Sequence, residues 1–394
     1  MNKFSIFLLP LSLVFPFERP ATLILILFFL IETLFHFKTM KSRFNFKVFL
    51  HPLVILFFST LFFMKLRSPI GAWDRDLSLF LFPFYFSLRG LNKNDINLIL
   101  KWFVWFLFLG LLFSLFHEFI LEFYFKDYIN LWKLKEHYNN SQLFYFIHSV
   151  SERIKFHHIY LSLYLFVGFL IGHYLIYSKL LKYRQEIVFT KICMTAFLLF
   201  TMLSVSRMSI ICFILYGLGY LYYFHKKRKE NLLLKSFIII SFLVLLIAFP
   251  NSIKSRFNKV LDDPRISLFD TSINLSKKFI LFGYGHQNGE IEFINAQNEN
   301  GNEVVYQNSH NQFLDYLLGG GIVMILFFII VNYLLVKKYY KSKVFIGLII
   351  LFFFILQCST EALLERYRGI VLFSFLISLF YYNKNQELVF KNQS

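Results

Sequence analysis

Charge is scarce in this 394-residue chain: Asp, Glu, Lys and Arg together make up 16% of it, against 57% hydrophobic residues. A soluble domain of this length carries about 25% charged residues. The mean hydropathy is +0.57. The apolar residues come in long blocks, not in a stripe every 3.6 positions, so the helices are apolar all round and suit a bilayer.

Cysteine is nearly absent. Cys193, Cys212 and Cys358 all fall inside apolar blocks, which leaves neither a disulfide framework nor a cysteine-based metal cluster. A cleavable leader is missing too. The apolar run 4–17 follows Lys3, but Glu18, Arg19 and Pro20 come next in place of a small-residue cleavage site, so the run reads as a retained first span. No P-loop and no GxGxxG pattern occurs. Phenylalanine is abundant, with 56 residues, and reads as a compositional preference among large hydrophobes.

These blocks predict an all-α polytopic membrane protein, one integral domain over 1–394. A helix needs roughly 20 apolar residues to cross the bilayer core. About twelve transmembrane helices are expected, at 4–17, 21–37, 47–64, 77–88, 98–121, 157–178, 187–205, 209–224, 232–250, 312–336, 343–358 and 369–382. Pro83 marks the fourth as a broken or tilted helix.

Positive charge orients the spans. With the N-terminus in the cytoplasm, the cytoplasmic segments hold 23 basic and 5 acidic residues, and the other side holds 18 of each. The entire net charge of +18 then lies in short cytoplasmic loops. Because it is scattered over seven of them and forms no single patch, nucleic acid is not an expected partner. Both long connections, 122–156 and 251–311, fall on the periplasmic side. Chemistry is therefore expected at the periplasmic face of the inner membrane, on a substrate that arrives already activated.

Within 251–311, the run from Arg265 to Phe282 places Ile266, Phe269 and Ile273 on one face, as in a helix lying at the membrane interface. A glycine-rich turn, Gly283 to Gly289, and a polar stretch follow. Gly319 to Gly321 open the tenth span and permit close helix approach.

The residues with chemical potential each suit two roles. Arg207, in the short turn Ser204-Val205-Ser206-Arg207-Met208-Ser209, lies at headgroup depth. Its planar fork fits a diphosphate or anchors the protein among headgroups. Arg265 suits a phosphate or an ion pair with Asp262 or Asp263. The neutral imidazole of His310, at the mouth of the tenth span, can take a proton from a sugar hydroxyl or act as a polar cap. Asp74-Arg75-Asp76 resembles a metal-holding acidic pair, although the triplet is short and common, and Arg75 fits better as an extra phosphate contact. In the last periplasmic turn, Glu361, Glu365, Arg366 and Arg368 suit mutual salt bridges, with Arg366 or Arg368 lining a site as the alternative. No metal or other cofactor is expected.

Four segments in order resemble the bacterial O-antigen ligase and polymerase superfamily over roughly 157–380: the serine-rich turn with Arg207; Arg265-Ile-Ser-Leu-Phe followed by Phe282-Gly-Tyr-Gly; His310-Asn-Gln-Phe-Leu with its glycines; and Glu361-Ala-Leu-Leu-Glu-Arg-Tyr-Arg-Gly. The resemblance implies a helical, metal-independent C-type glycosyltransferase. Its donor is a glycan on undecaprenyl diphosphate, and its acceptor is a saccharide such as the lipid A-core of lipopolysaccharide. Carried over, Arg207 and Arg265 hold the diphosphate and His310 serves the acceptor hydroxyl. Where the family often has an acidic residue before the glycine, this chain has Leu318, so the carboxylate that orients His310 is open, with Asp315 nearest in sequence. Ligase and polymerase share these motifs, and the His310 and Glu361 segments lean toward ligase. A glycan flippase would place ionisable groups in mid-span, whereas here they cluster at span ends.

Overall fold

Every element that the computed structural model describes is helical, over residues 3–43, 46–65, 76–124, 157–204, 206–227, 264–299 and 308–382. The all-α expectation holds there. In chain order the helices are α1 (Lys3–Val14), α2 (Glu18–Arg43), α3 (Pro52–Ser59), α4 (Ser78–Arg89), α5 (Lys93–Tyr124), α6 (His158–Tyr177) and α7 (Arg184–Leu203). They continue as α8 (Arg207–Lys227), α9 (Pro264–Ser276), α10 (His286–Glu299), α11 (Gln312–Lys341), α12 (Phe345–Cys358) and α13 (Tyr367–Tyr381). Four stretches are long and apolar enough to cross a membrane: Lys93–His117, His158–Tyr177, Arg184–Met202 and Gln312–Lys341. Shorter apolar helices accompany them. The ninth expected span, 232–250, lies outside the described residues, as do residues 125–156 of the first long loop.

The bundle is apolar inside and out. On α11, Met324, Phe328, Val331, Leu335 and Tyr339 are buried at helical spacing, while Leu326, Ile329, Ile330 and Tyr333 are exposed on the opposite face. An outward face that is itself apolar needs lipid against it. At the centre, α13 is buried along nearly its whole length. Gly168 and Gly172 of α6 leave room for Phe197 and Met194 of α7, since an added Cβ would come within 2.9 Å and 2.8 Å of those side chains. Small residues four apart let membrane helices pack this closely.

Three local expectations are corrected. Pro83 is buried inside α4 without ending it. The third span is assembled from a 3-10 turn (Phe46–Leu50), α3 and a π-helical turn (Thr60–Lys65). The polar stretch after the glycine turn is the helix α10, which buries Gly289, Phe293 and Gln297 on one side. Phe293 meets Leu268 and Leu275 of α9 and Leu318 of α11 in a small core of its own. On α9 the anticipated face does stay outside, with Ile266 and Ile273 exposed.

Candidate functional site

The glycines at 319–321 do something other than bring two helices together. At Gly321 the backbone of α11 leaves helical geometry, with φ 68° and ψ −166°. The break frees the carbonyls of Leu318 and Gly319 and the N–H groups of Ile322 and Val323. The loop after α9 takes up all four. Tyr284 and Gly285 donate to Leu318 O and Gly319 O at 2.8 Å and 2.9 Å, and Ile322 and Val323 donate to Ile280 O and Leu281 O at 2.8 Å and 3.3 Å. Unsatisfied backbone groups inside a membrane cost several kcal/mol each, so the break and the loop stabilise each other. Only glycine fits the contact: a Cβ on Gly321 would lie 2.2 Å from Leu281 O, and one on Gly283 2.5 Å from Leu318 O. This docking fixes the α9–α10 segment, and with it Arg265, against the start of α11.

Beside it, two turns and the start of α9 converge. Glu361, in the α12–α13 turn, accepts from Arg265 Nη2 at 2.7 Å through Oε1 and lies 3.1 Å from His310 Nδ1 through Oε2. The carboxylate is 7% exposed, whereas Arg265 and His310 keep 33% and 26% of their side chains open. A carboxylate held by an arginine accepts hydrogen bonds, so Nδ1 of His310 donates to Glu361. The shared carboxylate thus sets an imidazole beside a guanidinium.

His310 is held rigidly. Its φ of 52° is in the left-handed region, uncommon for a residue with a side chain and sustained only where surroundings enforce it. Its N–H donates to Asn308 Oδ1 at 3.1 Å. Asn311 caps α11 by accepting from Phe313 and Leu314 N–H, and its amide donates to Ser359 O at 3.0 Å. Gln312 accepts from Leu364 N–H at 2.6 Å. These bonds lock the mouth of α11 to the α12–α13 turn.

The structure thus settles several alternatives. The carboxylate touching His310 is Glu361, not Asp315, whose Oδ1 instead accepts from Ser309 N–H and Oγ–H at 3.1 Å and 2.7 Å. Arg265 pairs with Glu361; Asp262 and Asp263 lie outside the described residues. The acids of the last turn pair outward, Glu361 as above and Glu365 with His286 Nε2 at 3.5 Å. Arg368 is buried and donates to Leu13 O and Pro16 O at 3.4 Å and 2.9 Å, closing the C-terminal end of α1. Those bonds give Arg368 a structural part in joining α13 to the end of α1. Arg366 is exposed beside Glu365. Asp76 sits 3.7 Å from buried Lys65, and Asp74 and Arg75 lie outside the described residues.

Arg207 is half-buried as the first residue of α8. Its turn is stitched to the same end of the bundle: Ser204 bonds Ser162 of α6 at 2.6 Å, and Ser209 accepts from Gln357 of α12 at 3.3 Å, four residues before Glu361. On the docked loop, Tyr284 donates to Leu275 O at 3.2 Å. Burial, helped by Glu292, pushes its phenol above the usual tyrosine range, which keeps it a neutral donor.

Among the described residues no group of three or more His, Cys, Asp or Glu side chains converges as a metal site. No curated protein matches the chain. Residues 192–329 match the family model described as O-antigen ligase. The match covers less than half of the chain, spanning Arg207, Arg265 and His310 and ending before Glu361. Over those residues the chain is similar to the O-antigen ligase family.

Proposed function

We propose that this chain is a metal-independent glycosyltransferase of the O-antigen ligase type. It moves a glycan from undecaprenyl diphosphate to a saccharide acceptor, lipopolysaccharide core, at the periplasmic face of the inner membrane, with both termini cytoplasmic. The observation that carries this reading is the single carboxylate, Glu361, shared by Arg265 and His310. A polyprenyl diphosphate is already a good leaving group, so the protein must neutralise growing phosphate charge and align the attacking oxygen. The partly exposed guanidinium of Arg265, with Arg207, supplies positive charge. Nε2 of His310 accepts the proton of the acceptor hydroxyl as its oxygen attacks the anomeric carbon. The C–O bond to the diphosphate breaks, and the diphosphate lipid departs with the bonding electron pair. Glu361 orients the ring and stabilises the imidazolium that forms.

The test uses the full chain in nanodiscs with an undecaprenyl-diphosphate oligosaccharide and purified lipid A-core, with EDTA present. Transfer should proceed, and His310→Ala should lower turnover by about 10²–10⁴-fold, the range of a general base, with donor binding little changed. Transfer lost to EDTA, or retained without His310, overturns the mechanism. A product that is lengthened lipid-linked glycan, with the core left bare, assigns the chain to the polymerases.

A further inference from the structure

A cavity of about 120 Å³ adjoins the Arg265–Glu361–His310 contact without including it. His286 and Glu290 of α10, Asp315 of α11, and Glu365 and Arg366 of the turn before α13 line it, with Phe293 as an apolar wall. Asn308, whose side chain holds the N–H of His310, also reaches it. The cavity therefore begins within two residues of the imidazole on one side and four residues from Glu361 on the other.

Its chemistry differs from that of the arginine site. Three carboxylates face one guanidinium, and His286 is 3.5 Å from Glu365. A diphosphate would be repelled here. Asp315 supplies the second clue: Oδ1 is satisfied by Ser309, while Oδ2 is shielded from solvent and has no hydrogen-bond partner. A buried carboxylate oxygen is normally given a donor, and Asp315 is also one of the residues lining the cavity, which has room for about four waters. A ligand that brings several hydroxyl donors, a few acceptors for Arg366, and one apolar face for Phe293 matches the walls. A pyranose ring has those features, with hydroxyls around its edge and C–H groups on its faces.

We propose that this cavity is the subsite that seats the acceptor's sugar ring, and that it selects neutral or amino-bearing pyranoses against uronic acids. The assignment of this ring to the acceptor rests on the transferase reading above; the sugar preference rests on the cavity alone. Asp315 and Glu365 accept from ring hydroxyls, Arg366 donates back, and the hydroxyl to be glycosylated projects past Asn308 toward His310. The excess of carboxylates disfavours any sugar that carries its own negative charge.

Saturation-transfer NMR on the full chain in nanodiscs tests this with methyl glucoside, methyl galactoside, methyl glucosaminide and methyl glucuronide as probes. The first three should receive saturation and the glucuronide should not. Asp315→Asn and, separately, Glu290→Gln should weaken the neutral probes about tenfold or more, the effect of one lost charge-assisted hydrogen bond. In the transfer assay the same variants should raise the acceptor KM more than they lower kcat, while His310→Ala should leave probe binding intact. Equal binding of the glucuronide, or binding indifferent to both variants, overturns the subsite. No probe binding in a wild-type chain whose transfer depends on His310 also overturns it and leaves the transferase reading standing. Probe binding that follows the expected pattern in a chain that transfers no glycan supports the subsite and sinks the transferase reading.

Discussion

Two buried carboxylates in this molecule each hold one arginine and one ring-bearing partner, and they differ in where the partners come from. Glu32 of α2 accepts from Tyr85 Oη–H at 2.9 Å and pairs with Arg89 Nε at 3.3 Å, both on α4. Glu361 holds Arg265 from α9 and His310 from the turn before α11. In the first cluster all three groups stand on regular helices, and the arginine is only 13% exposed. In the second, Glu361 and His310 stand in turns, Arg265 opens a helix, and both partners of the carboxylate stay partly exposed. Similar ion-pair chemistry thus yields a sealed strut in one place and an accessible site in the other. What decides is whether packing closes over the partners.

Alanine in place of each glutamate sharpens that contrast. Glu361→Ala should lower glycan transfer per folded molecule by about 10²–10⁴-fold, because the imidazole loses its orienting acceptor, with little change in the amount of folded protein. If instead the variant fails to fold while the residual folded fraction transfers at the wild-type rate, Glu361 is a strut as well. Glu32→Ala should do the reverse. Removing one member of a buried pair destabilises by about 3–5 kcal/mol, visible as a lower unfolding midpoint in detergent, and turnover of the surviving molecules should match wild type.

A smaller effect is expected where the two regions owe their order to backbone. Gly321→Ala should destabilise by more than about 2 kcal/mol, from the left-handed φ and the clash with Leu281 O. Protease cleavage between α9 and α10 should rise in step, and unchanged protection would argue against the docked loop. The smallest effect concerns the arginine that the structure places at the same end of the bundle but outside the Glu361 contact. Arg207→Lys keeps the charge and loses the fork, so transfer should drop only about tenfold. Wild-type transfer by Arg207→Ala would make the residue a headgroup anchor.

The sequence revealed the apolar helices because their blocks exceed what any soluble packing requires. It also marked His310, Arg265 and Arg207 as polar groups at membrane ends. It did not reveal that Glu361 joins two of them. His310 and Glu361 are 51 positions apart and Arg265 and Glu361 are 96 apart, and no local periodicity encodes a contact between turns. The triplet Gly319–Gly321 marks a place of close approach, but its partner is the loop 280–285 and not a helix. Helix α10 was missed because polar residues and Gly289 outweighed its pattern, although Gly289, Phe293 and Gln297 recur every four residues on one side, a signal that was available.

The splice between the loop and the broken α11 is written almost wholly in main-chain atoms. Besides the glycines at 283, 285 and 321, whose φ is positive, the splice itself uses no side chain of 280–282. Its exposed residues Ile280 and Leu281 can therefore be exchanged while Arg265 keeps its register against His310, whereas Phe282 also stacks on Phe63. A swap at those two positions should leave the Arg265–Glu361–His310 contact where it is.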